Sequence, residues 1–180
     1  MKIVSGWLSG PKVRQVPTKN FNRRPQGEIS LIVLHCIALP PHHYGGPYVD
    51  DLFIGNLDPK VDPYFEGIYQ CELSSHLFIN RHGVVTQYVS FLDRAYHAGR
   101  SSYQGQAECN DFGIGIELEG SDDSYYTDEQ YQILNEIIKL LVATYPDIKD
   151  RIASHSEVAP GRKSDPGPFF DYHQLGLRND

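Results

Sequence analysis

The chain has 180 residues and a formal net charge of −7. That length suits one domain with a single buried core. The acidic balance argues against a general binder of nucleic acid or of an anionic membrane, because the long-range field repels polyanions, so an anionic ligand would have to meet a local cluster of cations.

In chain order, the opening MKIVSGWLSG carries one early lysine but no apolar run long enough for a signal-peptide core. No later stretch is long and apolar enough to span a bilayer. A cytoplasmic protein with no membrane partner is therefore expected. Residues 30–37, SLIVLHCI, are apolar on both faces and rich in β-branched side chains, as in a central strand covered on each side. The segment over 38–70 is rich in Pro and Gly, with room for one short helix near Val49 to Ile54, and long loops of this kind often carry function. SSHLFI and VVTQYV flank Asn80-Arg81-His82-Gly83 and read as a β-hairpin. FGIGIELEG (112–120) alternates, with Ile114, Ile116 and Leu118 on one side and Gly113, Gly115, Glu117 and Glu119 on the other. The glycine and glutamate face is expected to be open and acidic. Thr127 and Gln130 form a capping box, and Ile133, Leu134, Ile137, Ile138, Leu141 and Val142 make an apolar stripe that ends before Pro146. These elements alternate as in an α/β fold, without internal repeats or a second domain.

The segment HSEVAPGRKSDPGPFF (155–170) raises the chemical question. It holds His155, Arg162, Lys163 and Asp165 on a path stiffened by five Pro or Gly residues. Asp165 could simply begin a turn. His35 ends an apolar strand, where an imidazole needs a partner, and could be a hydrogen-bonded core residue or a ligand. Two histidines and a carboxylate are a donor set that holds catalytic zinc and leaves one position open. Glu117 could be a surface carboxylate or, beside a metal-activated water, a general base. Lys163 could be solvated or could face a developing oxyanion. His76 and His97 are structural or line a cleft, whereas His42, His43, His82 and His173 read as surface positions. Cys36, Cys71 and Cys109 are odd in number and lack CxxC spacing, so free thiols are expected.

VLHCIALPP, YQGQAECNDFGIGIELEG, YTDEQY and HSEVAPGRKSDPGP together closely resemble the zinc N-acetylmuramoyl-L-alanine amidases of the AmpD type, which act in bacterial peptidoglycan recycling. The resemblance runs from about Gly6 to about Phe170. It implies a single domain over 1–180 with a central mixed β-sheet flanked by helices, the fold of the amidases and peptidoglycan recognition proteins. It further implies Zn2+ on His35, His155 and Asp165, with Glu117 and Lys163 catalytic. The implied reaction is hydrolysis of the amide between the lactyl group of an anhydromuramyl residue and the L-alanine of its stem peptide. Arg162 is read as the partner of a substrate carboxylate, with His97 and Cys36 as further substrate contacts and the enzyme as a monomer. The chain departs from the family's common pattern at Cys36, often Asn, and at Glu72 and Glu108, often basic. Two other readings are a non-catalytic peptidoglycan-binding module and a zinc peptidase acting on unrelated peptides.

Overall fold

The computed structural model describes residues 1–176. Among these residues, six strands form one mixed sheet: β1 (Val13–Gln15), β2 (Leu31–Ile37), β3 (Leu77–Ile79), β4 (Val85–Gln87), β5 (Gly113–Glu119) and β6 (Ile152–Ser154). Their order across the sheet is β6-β2-β5-β3-β4-β1. β2 runs parallel to both β5 and β6, β5 is also parallel to β3, and the β3–β4 hairpin supplies the antiparallel pair. The two longest strands thus lie next to each other near the middle, which is why β2 is apolar on both sides.

One face of the sheet is covered by α2 (Asp128–Thr144). Thr127 starts this helix: its Oγ1 accepts from the Gln130 N–H at 3.2 Å, while Gln130 Oε1 accepts from the Thr127 N–H at 3.0 Å. Ile133, Leu134, Ile137, Ile138 and Leu141 then pack on Ile32 and Leu34 of β2 and on Ile114, Ile116 and Leu118 of β5. Burying each such side chain contributes about 1.5–3 kcal/mol before chain entropy is counted.

The opposite face is covered in pieces rather than by a second long helix. Leu31 and Val33 pack with Phe112, Ala153 and Val158. Further across, Leu52, Phe53 and Phe65 pack with Phe78 and Tyr88. Leu52 and Phe53 come from α1 (Tyr48–Ile54), the short helix expected within the Pro/Gly segment. That segment also contains a 3-10 turn, Pro63–Gly67, started by Asp62, whose Oδ1 accepts from the Tyr64 N–H at 2.8 Å. It is therefore a packed wall rather than a bare loop, because its apolar residues are spaced to reach one cluster.

The expectation of an open acidic face on β5 is corrected. Every residue of β5 is buried, with Glu117 8% and Glu119 5% exposed. The His97 ring lies directly on Gly115, where a Cβ would sit 2.4 Å from its Cγ. Glu119 is spent on backbone: its two carboxylate oxygens accept from the Gly45 N–H and, at 2.9 Å, from the Arg81 N–H.

Candidate active site

The site forms where the parallel strands end, the position at which open α/β sheets commonly bind ligands. His35 lies near the end of β2, in register with Glu117 of the parallel neighbour β5. Both side chains project from the face opposite α2. His155 follows β6 directly and opens a one-turn helix, α3 (His155–Val158), rather than the plain loop expected. Ser154 caps that turn, its Oγ accepting from the Glu157 N–H at 3.0 Å. The chain then returns through Ala159, whose carbonyl accepts from the Arg162 and Lys163 N–H groups, and the Asp165 carbonyl accepts from the Ser156 N–H at 3.1 Å. These bonds bring Asp165 back beside His155.

Three donor atoms converge. His35 Nδ1 is 2.9 Å from His155 Nδ1 and 3.3 Å from Asp165 Oδ2, and the last two are 3.0 Å apart. Tetrahedral ligation with bonds of about 2.0–2.2 Å sets ligand atoms roughly 3.3–3.6 Å apart, so this triangle needs only a slight expansion. His155 Nε2 lies 3.2 Å from the Ala98 carbonyl. A carbonyl only accepts, so Nε2 carries a hydrogen toward it and Nδ1 is the nitrogen that points inward. Burial lowers the His35 pKa to about 4, against the opposing hydrogen bond to Asp165, so this ring is neutral. Burial alone would raise Asp165, but its hydrogen bonds to His155 and His35 hold it below the usual carboxylate range. Two imidazole nitrogens and one carboxylate oxygen around a common point fit a divalent cation, and the nitrogen and oxygen donor set fits zinc.

The same residues border a cleft of about 410 Å³, within the range of ligand sites. Glu117 and Lys163 line it, as do Leu52 and Tyr64 from the packed wall, Tyr96, and Asp122 from the loop after β5. Glu117 Oε2 is buried without a hydrogen-bond partner. Burial, and then the Asp165 carboxylate, push the Glu117 pKa well above the usual range, while Lys163 pulls it down. Lys163 itself is exposed at the rim.

Other expected residues fall differently. His97 borders the cleft, with Nδ1 3.0 Å from His35 Nε2 and with a buried Nε2 that has no partner. Cys36 borders the cleft too, but it packs against the α2 core, and burial raises its thiol pKa to about 12 against a hydrogen bond with Tyr126. Arg162 departs from the expected substrate contact. Its Nη2 donates to the carbonyls of Ala98 at 2.5 Å and Arg100 at 2.9 Å, and the residue lines a separate groove instead. His76 is structural: its Nδ1 accepts from the Gly115 N–H at 3.0 Å, so its Nε2 carries the hydrogen, 3.1 Å from the Asp93 carbonyl. Of the positions that depart from the family's pattern, Glu108 lies 4.0 Å from Arg94, and neither it nor Glu72 is among the residues bordering the cleft.

Two supporting residues were not anticipated. Arg24 is only 6% exposed and donates to the carbonyls of Phe91, Asn110, Asp111 and Gly113. Asn110 Oδ1 accepts from the His97 N–H at 3.1 Å and the Ala98 N–H at 2.8 Å. Asn110 had a visible signal in the quoted CND triplet, though not a role, whereas Arg24 has no local sequence signal.

A mixed sheet that gathers two histidines and an aspartate beyond its strand ends, beside a buried carboxylate and a lysine, is an arrangement that suits metal-assisted hydrolysis. Residues 25–168 match the N-acetylmuramoyl-L-alanine amidase family, and the chain belongs to that family. It is 52% identical to the 1,6-anhydro-N-acetylmuramyl-L-alanine amidase AmpD of Haemophilus influenzae, over 89% of each chain. It is 48% identical to the AmpD of Escherichia coli, over 96% of this chain and 93% of that protein. A selenomethionine AmpD crystal structure superposes with a TM-score of 0.94 at 48% identity, covering 97% of both chains. The amidase AmiD of Escherichia coli, solved with the substrate anhydro-N-acetylmuramic acid-L-Ala-D-γ-Glu-L-Lys, superposes at a TM-score of 0.59 and 28% identity, over 82% of this chain and 56% of that one.

Proposed function

We propose that the protein is a zinc amidase that hydrolyses the bond between the lactyl carbonyl of 1,6-anhydro-N-acetylmuramic acid and the L-alanine of the stem peptide, as part of peptidoglycan recycling. The observation that carries this reading is the convergence of His35 Nδ1, His155 Nδ1 and Asp165 Oδ2 at one end of a cleft that Glu117 also lines, in a chain of the amidase family. The AmpD and AmiD relatives support the choice of substrate by their activities.

Bound by His35, His155 and Asp165, zinc would supply Lewis acidity at the scissile carbonyl and lower the pKa of water toward neutrality. Glu117 takes up the proton as water adds to the carbonyl, and it passes that proton to the alanine nitrogen as the C–N bond breaks. Its buried carboxyl, with a pKa raised by burial, suits both halves of this transfer, because desolvation favours the neutral form it takes between them. The Lys163 ammonium faces the charge that builds on the carbonyl oxygen. The His97 side chain and the wall residues Leu52 and Tyr64, which border the cleft, are the contacts we assign to the body of the substrate. Cys36 borders the cleft and packs against the core beneath it. We further assign the enzyme to the cytoplasm as a monomer, where its three free cysteines stay reduced. No helix among the described residues is long and apolar enough to cross a membrane.

The test is to incubate zinc-loaded protein with an anhydromuramyl peptide, and separately with a panel of plain peptides, and to follow both by mass spectrometry. Release of the L-alanyl stem peptide from the first alone is expected. Cleavage of plain peptides instead would replace this reading with a peptidase, and binding without cleavage would replace it with a recognition module.

A further inference from the structure

Each of the two histidine ligands has its second ring nitrogen held by the same dipeptide. His35 Nε2 meets His97 Nδ1 at 3.0 Å, and His155 Nε2 donates to the Ala98 carbonyl at 3.2 Å. This dipeptide is itself fixed from three sides. Both of its N–H groups donate to Asn110 Oδ1, and Asn110 is 5% exposed. Arg162 Nη2 donates to the same Ala98 carbonyl and so ties the bracket to the segment that delivers Lys163 and Asp165. The His97 ring rests on Gly115, which leaves it no room to tilt toward the sheet. Arg24, bonded to the carbonyls of Asn110 and Asp111, holds the turn that carries Asn110.

We propose that His97 and Ala98, braced by Asn110 and Arg162, form an outer bracket that sets the tautomer and orientation of both histidine ligands, His35 through the His97 ring and His155 through the Ala98 carbonyl. This rests on the metal reading of the site. The chemistry allows one arrangement once a cation occupies the centre. His35 Nδ1 then holds a lone pair toward the metal, its Nε2 carries the hydrogen, and His97 Nδ1 accepts that hydrogen. A neutral His97 consequently carries its own hydrogen on Nε2. Outer partners of this kind raise ligand basicity and hold the ring in line, and losing one costs about 10- to 100-fold in metal affinity. Arg162 is thereby a positioning residue rather than a carboxylate clamp, and His97 positions a ligand whatever it also offers the substrate.

Two measurements on the full chain decide the matter. In 15N-labelled, zinc-loaded wild type, long-range 1H–15N correlation should show His35, His155 and His97 all as Nε2–H tautomers. In His97→Phe, which keeps a ring on Gly115 but removes the acceptor, zinc affinity measured against a chromogenic chelator should fall about 10- to 100-fold. The visible bands of its cobalt-substituted form should shift, and His97→Gln, which restores an acceptor oxygen, should recover most of both. A His97→Phe protein that binds zinc within twofold of wild type with unchanged cobalt bands would overturn the bracket. So would a hydrogen on His97 Nδ1 in the loaded wild type, a result that stands even if the Phe variant does not fold. Wild-type protein that takes up no zinc would remove the metal reading, and the bracket with it.

Discussion

Gly115→Ala puts the packing beneath the metal site to a quantitative test. The added Cβ would lie 2.4 Å from Cγ, 2.7 Å from Nδ1 and 2.8 Å from Cδ2 of His97. Ordinary contact begins near 3.4 Å, so something must move by about 1 Å. The strand is poorly placed to yield. β5 is paired on both sides, and Gly115 exchanges hydrogen bonds with His76, its carbonyl accepting from the His76 N–H at 3.2 Å and its N–H donating to His76 Nδ1 at 3.0 Å. The ring must therefore lift, and its 3.0 Å contact with His35 Nε2 would open to about 4 Å, beyond hydrogen-bonding range. Overpacking costs about 1–3 kcal/mol and the lost hydrogen bond about 1 kcal/mol. For a chain of this size, that sum corresponds to a melting temperature lower by roughly 5–15 °C. Calorimetry of metal-free wild type and variant reads the packing cost, and chelator competition reads the loss at His35. A Gly115→Ala protein melting within 2 °C of wild type, with unaltered zinc affinity, would refute the argument from contact distances.

The remaining expectations concern the groups around the metal. Asp165→Ala should lose zinc and turnover together, with zinc content read by elemental analysis of the same sample that is assayed; retained zinc would assign Asp165 to the turn alone. Glu117→Gln should stay folded and zinc-loaded while kcat falls roughly 10²- to 10⁴-fold. Because the folded pKa of Glu117 is raised, its ionisation opposes folding increasingly as pH rises from the unfolded carboxylate value of about 4.3 toward the folded one. Metal-free Glu117→Gln should therefore melt above metal-free wild type at pH 8, with the gap closing as pH approaches 4; a gap that widens on acidification would contradict that sign. Lys163→Ala should spare zinc and act mainly on kcat, whereas an effect confined to KM would assign the ammonium to ground-state binding. Exhaustive chelation should abolish turnover and added zinc should restore it, so a verified metal-free sample with full activity would end the zinc mechanism.

Much of this architecture is readable from local pattern. β2, β5 and α2 carry strong periodicities that tertiary packing reinforces, and the Thr127 box marks the helix start to the residue. His35 was legible as unusual because an imidazole at the end of an apolar strand needs a partner. The convergence on Asp165 was different: composition left a turn residue and a ligand both open, and the family resemblance favoured the ligand. What local pattern could not show are contacts whose partners are far apart in sequence. Arg24 reaches Gly113, and Asn110 reaches back to His97, through hydrogen bonds to backbone, which leave no trace in side-chain periodicity. Glu119 was misread for the same reason, since its neighbours are the N–H groups of Gly45 and Arg81, which any residue could supply. β1, three residues long and half-exposed, offers too few positions for an alternation to register.

Glu117 and Glu119 stand two residues apart on one strand face, yet their carboxylates are used differently. Glu117 keeps an unpartnered oxygen at the cleft, while Glu119 moors the start of the cleft wall at Gly45 and the hairpin turn at Arg81. Between those moorings run the packed wall, with Leu52 and Ile68, and then β3, which is paired with β5. In an exposed stretch of the wall such as 58–61, doubling the loop length adds only about 0.6 kcal/mol of closure entropy. Insertions there can alter the approach to the cleft at little cost, because the Glu119 moorings at Gly45 and Arg81 stay in place.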